Sequence, residues 1–141
     1  MTKRSKGWRV LPHTAEIALE ITGASWPSFF RNAARGLCEI YGFDPAPIDP
    51  RRKQVKKKFK AATPEELLVD WLNELIFLVS TKGWRPGGVR ILEAGKCCLT
   101  AELASAEEIA SPKLEIKAAT FSALNVVREK GRIAARLILD V

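Results

Sequence analysis

Residues 63–79 constrain the fold more than any other part of this chain. Thr63-Pro64-Glu65-Glu66 joins three helix-start signals: a capping hydroxyl, a proline at the first helical position, and a glutamate placed to complete a capping box. Leu67, Leu68, Trp71, Leu72, Leu75, Ile76, Leu78 and Val79 then recur at helical spacing. Their stripe is wide, which implies a central helix packed on a sheet. Asp70, Asn73 and Glu74 fall on its polar side.

The rest of the chain supplies that sheet and one more helix. Ser25 is placed to cap a helix with Pro27 in its first turn. Trp26, Phe29, Phe30, Ala33, Ala34, Leu37, Ile40 and Tyr41 follow at i, i+3, i+4 spacing, and Gly42 is its natural end. Ile17, Leu19 and Ile21 alternate with Glu16, Ala18, Glu20 and Thr22, the mark of a half-buried strand. Further strands are expected over residues 8–11, over the basic run to about residue 62, and over 89–93 and 97–103 around a turn at Ala94-Gly95-Lys96. A long strand over 114–128 and a last one over 132–141 flank a hairpin turn at Glu129-Lys130-Gly131. Residues 43–50, with three prolines, and 85–88 are loops, and 105–111 is polar. With no repeats, residues 1–141 form a single domain. Two amphipathic helices against a mostly antiparallel sheet make an α+β two-layer sandwich.

Charge and cysteines narrow the function classes. The net charge of +7 favours an acidic partner such as RNA or an acidic protein. Arg51 through Lys60 holds seven basic residues in ten, and Lys3, Arg4, Lys6 and Arg9 form a looser group. That run reads either as a phosphate-facing stripe or as a solvated strand whose lysines block edge-to-edge pairing. Cys38, Cys97 and Cys98 have no metal-binding spacing and read as reduced, semi-buried small hydrophobes. No segment is apolar enough to span a membrane, and no apolar stretch follows the basic start, so the expected compartment is the cytoplasm.

The residues that could carry chemistry are few. His13 is the only histidine, which rules out histidine triads and zinc clusters; after a proline it is more often a structural hydrogen-bonder than a catalyst. Asp140 and the Val141 carboxylate end an apolar strand, and Glu16 begins another. If those strand ends adjoin, three anionic groups converge. Two unit charges at about 4 Å repel by roughly 4 kcal/mol at an effective dielectric near 20. A hard divalent cation, calcium or magnesium, would satisfy all-oxygen ligands of this kind. Lys117, or an arginine of the basic run, could neutralise them instead, and Lys117 could also anchor a phosphate or merely snorkel.

Three segments together resemble the archease family, small proteins that assist the RNA ligase of tRNA splicing. They are His13-Thr14-Ala15-Glu16-Ile17, Glu65 through Leu75, and Ile116 through Phe121 together with Leu139-Asp140-Val141. Ala33-Ala34-Arg35-Gly36-Leu37 also fits. The resemblance implies a non-enzymatic activator of a tRNA-splicing RNA ligase. The ligase joins a 2′,3′-cyclic phosphate or 3′-phosphate end to a 5′-hydroxyl end, and the activator promotes its guanylylation and turnover through an acidic metal site. By position the metal ligands would be Glu16, Asp140 and Val141, with calcium preferred to magnesium, and Lys117 and His13 would face the ligase. The chain departs from the family at Glu16, where aspartate is usual, near Ser122, where histidine is common, and at Ser111-Pro112-Lys113, which replaces a histidine-containing segment.

Two other function classes follow from the residues alone. One is an RNA-binding module acting through Arg51 to Lys60; the other is a metal-dependent hydrolase built on the same carboxylates, for which no further general base is evident.

Overall fold

A computed structural model of the chain describes residues 6–12, 16–43, 51, 53–82, 88–104 and 114–141. Its elements run β1 (Trp8–Pro12), β2 (Glu16–Gly23), α1 (Trp26–Tyr41), β3 (Gln54–Lys60), α2 (Pro64–Lys82), β4 (Val89–Ala94), β5 (Cys98–Ala104), β6 (Ala118–Thr120), β7 (Val127–Glu129) and β8 (Arg132–Asp140). His13, the loops over 44–50 and 85–87, the polar stretch 105–111 and the basic residues Lys3 and Arg4 lie outside the described residues.

Both helices start, and α1 stops, where their caps dictate. The Ser25 hydroxyl accepts from the Ser28 amide at 3.3 Å, and the Ser28 hydroxyl accepts from the Ser25 amide at 3.0 Å, a reciprocal capping box. At the other end Gly42 adopts the left-handed conformation (φ 80°) that a side chain would disfavour. The Gly42 and Phe43 amides then reach back to the Glu39 and Cys38 carbonyls, each at 3.0 Å. For α2, the Thr63 hydroxyl accepts from the Glu66 amide at 3.1 Å. The Glu66 carboxylate accepts from Ala62, one residue further out than the expected box.

These caps contribute about 1 kcal/mol each. Burial outweighs them: Leu67, Leu68, Trp71 and Leu72 are fully enclosed, and each such side chain is worth roughly 1.5–3 kcal/mol. The Trp71 indole N–H also donates to the Phe30 carbonyl at 3.0 Å, tying α2 to α1.

The pairing is antiparallel throughout, as expected for this α+β fold, but the strands divide into two sheets. The first has the order β1-β2-β8-β6, with β7 pairing the hairpin end of β8; the second has the order β3-β5-β4. One continuous core serves both. The helix α1 packs against β1, β2 and β4, and α2 packs against β6 and β3, so each helix touches both sheets. At Gly36 an added Cβ would lie 2.7 Å from Leu19 Cδ1, which shows how closely α1 approaches β2.

The long strand expected over residues 114–128 is replaced by the short β6 and β7. The reason is local. The Thr120 hydroxyl accepts from the Ser122 amide at 3.3 Å, the Leu124 amide donates to the Phe121 carbonyl at 3.0 Å, and Ala123 takes a positive φ of 54°. Those bonds close a turn and remove the segment from the ladder.

Candidate functional site

The first sheet settles where the sequence-predicted carboxylates go. Glu16, the first residue of β2, stands directly across from Asp140, the last residue of β8, and Asp140 in turn faces Ala118 of β6. Directly opposed residues on one face hold their Cβ atoms about 4.5–5.5 Å apart. Glu16 and Asp140 are both exposed, and Val141 follows half-buried against the core. Lys117 is exposed, and its amide donates to the Asp140 carbonyl at 2.8 Å. The four residues are therefore assembled by adjacent main chains at one end of the sheet. Ala118, rather than Lys117, is the residue in register with Asp140.

The charge environment of this pair differs from that of its neighbours. Two rows along the same outer face, Glu20 sits between Arg9 and Arg136 and binds Arg9 at 2.8 Å. In the row of Glu16 and Asp140 the third position is an alanine. Among the described residues neither carboxylate makes an ion pair or a side-chain hydrogen bond. Two facing like charges in water cost up to about 1 kcal/mol, so an external cation would be stabilised here. Among the described residues no group of three or more His, Cys, Asp or Glu side chains converges on a metal position. The donor set, two carboxylates open to water, fits a hard cation that keeps part of its water shell.

The polar side of α2 positions this strand end, a role that helical periodicity did not reveal. The Asn73 side chain acts as a substitute strand: its Oδ1 accepts from the Ala119 amide at 2.8 Å, and its Nδ2 donates to the Ala119 carbonyl at 3.4 Å. Two turns earlier on the same face, Glu65 accepts from the Val126 amide at 2.9 Å. The free edge of β6 is thus covered by a helix side chain. The only sequence signal for this was an asparagine on an otherwise charged helix face. Next to it, Glu74 pairs with Lys57 of β3 at 3.0 Å, so consecutive residues of α2 hold the edges of both sheets.

Elsewhere, an open groove of about 430 Å³ between β3 and α2 is lined by Lys58, Phe59, Lys60, Asp70, Asn73 and Glu74. Its charges are mixed and it contains no nucleophile–base pair. The three cysteines are free thiols: Cys38 is buried and donates to the Phe43 carbonyl, and Cys97 and Cys98 lie toward the surface. Among the described residues no helix is long and apolar enough to cross a membrane.

Comparison with known proteins gives a consistent result. The Archease protein family (MTH1598/TM1083) matches residues 8–141. Protein archease of Aeropyrum pernix is 27% identical, over 96% of this chain and 97% of its own length. Protein archease of Methanosarcina barkeri is 28% identical over the full length of both. Among solved structures, the crystal structure of an archease and possible chaperone from Thermotoga maritima superposes with a TM-score of 0.68 at 26% identity, covering 100% of this chain and 99% of that one. The solution structure of Methanobacterium thermoautotrophicum protein 1598 gives 0.70 at 25% identity, covering 97% and 100%.

Proposed function

The chain belongs to the archease family, and from that premise we propose that it is a non-enzymatic accessory protein of the tRNA-splicing RNA ligase. Its acidic strand end promotes guanylylation of the ligase and its repeated turnover. A chaperone-like role is in keeping with the description of the Thermotoga maritima relative.

The observation that carries this reading is the register of Glu16 against Asp140, two exposed carboxylates facing each other with no cation partner among the described residues. Glu16 and Asp140 would hold a divalent ion, calcium in preference to magnesium, with Val141 at the same end. When bound, that ion supplies a compact positive charge able to organise phosphate oxygens. The protein's own part is to hold the pair in place. Asp140 is fixed by the β2 ladder on one side and by the Lys117 amide on the other. Lys117, whose amide holds the Asp140 carbonyl, would with His13 meet the partner. Glu16 is one methylene longer than the family's usual aspartate, so its carboxylate reaches further from the sheet.

Substitution tests this directly. Asp140→Ala should lower calcium affinity at least tenfold by titration calorimetry, since even partners behind a metal ligand are worth that much. The same variant should abolish stimulation of the ligase in a multiple-turnover assay while remaining folded. Undiminished stimulation would refute the acidic-end mechanism.

A further inference from the structure

On the second sheet, alternation sorts the lysines of β3 onto opposite faces. Lys57 points to the core side, in line with Val55 and Phe59, and its ammonium lies 3.0 Å from Glu74. Lys56, Lys58 and Lys60 point the other way and are exposed. Across the ladder they face Glu102, Thr100 and Cys98 of β5. Glu102, the one acid among those three, is already engaged by Arg90 of β4. Among the described residues Lys56, Lys58 and Lys60 make no ion pair, whereas Lys6, Arg9, Lys57 and Arg90 each have one. The result is a straight row of three unneutralised ammonium groups on the open face of a sheet.

We infer that this row is a binding site for the sugar-phosphate backbone of single-stranded RNA, read without regard to sequence. Alternate residues of a strand repeat every ~6.6–6.8 Å. Lysine stems are long and jointed, so each head can follow a successive phosphate along one extended strand. A protein partner would need an apolar anchor at the centre of its footprint. The positions in register with the lysines are Glu102, Thr100 and Cys98, and the exposed Leu92 sits at the β4 bulge rather than beside them. Phosphate needs only charge. No exposed aromatic ring lies in this row, since Phe59 turns to the core side, which favours backbone contact over base stacking. The inference does not rest on the acidic strand end: the stripe belongs to the other sheet and uses other residues.

Fluorescence anisotropy with a short labelled oligouridylate, over a salt series, tests it on the full-length protein. Each lysine–phosphate contact on a single strand contributes about 0.7 to the slope of log affinity against log salt. The combined Lys56→Gln, Lys58→Gln, Lys60→Gln variant should therefore lose about 2 units of slope relative to the parent. The parent's affinity should drop about twentyfold from 50 to 200 mM salt through these three contacts alone. Lys57→Gln removes the same charge from the other face and should leave affinity within twofold. The substituted lysines are solvated, so circular dichroism and the melting midpoint should be unchanged. Equal weakening by Lys57→Gln and Lys58→Gln would overturn the inference, because net charge rather than the row would then be responsible. So would absence of RNA binding at 50 mM salt, which would leave the lysines as guards of an exposed edge. Displacement of the RNA by an oligoglutamate of equal charge at equal concentration would overturn it in favour of an acidic peptide.

Discussion

Single side chains decide the local chemistry, and Tyr41 shows how. It is buried at the end of α1 and stacks on Phe43 at 5.4 Å. Burial, reinforced by the nearby Glu115 carboxylate, pushes its hydroxyl from 10.0 up to about 12. The folded state therefore prefers the neutral phenol. The corresponding stability is complete below pH 10, where both states keep the proton, and it is lost as pH rises from 10 toward about 12, because the unfolded chain ionises first. Tyr41 is the only tyrosine, so tyrosinate absorbance reports it alone. Its titration in the folded protein should have a midpoint well above that of the denatured chain, and Tyr41→Phe should flatten the fall of the denaturation midpoint over that pH range. Glu16 and Asp140 were identifiable as candidates from their places at strand ends.

Between elements, one amide stands in for a strand. Asn73 meets both the amide and the carbonyl of Ala119, and so closes the edge of β6 beside Asp140. Asn73→Ala would leave both backbone groups without that partner, at a cost of about 1–3 kcal/mol for the buried part. Urea denaturation should show that loss. Hydrogen exchange should localise it to residues 117–126, with the amides of β2 less affected. Asn73→Asp keeps the acceptor and should recover part of it. Helix boundaries were readable in advance because Ser25, Gly42 and Thr63 act within a few residues of themselves. The broken strand after Lys117 was not, because alternation persists through a segment whose backbone bonds are taken by the turn at Ser122 and Ala123.

In the whole molecule, two sheets share one core through two helices. Leu19 of the first sheet and Leu99 of the second are both enclosed in it. Truncating either to alanine should cost about 2–5 kcal/mol. Because the core is common, each variant should lower a single transition, with tryptophan fluorescence and far-ultraviolet dichroism coinciding. Separate transitions for the two sheets would show that the core is divided.

The amino-acid order alone determined the two helices, their starts and the end of α1, the faces of β2, and the acidic character of the β8 end. All of these depend on neighbours within a turn or on alternation along one strand. Only the tertiary structure decided that Glu16 stands opposite Asp140, that Asn73 bonds Ala119 46 residues away, and that the strands part into two sheets. Register and sheet membership are set by which distant surfaces bury one another, and no short stretch of the chain contains that information.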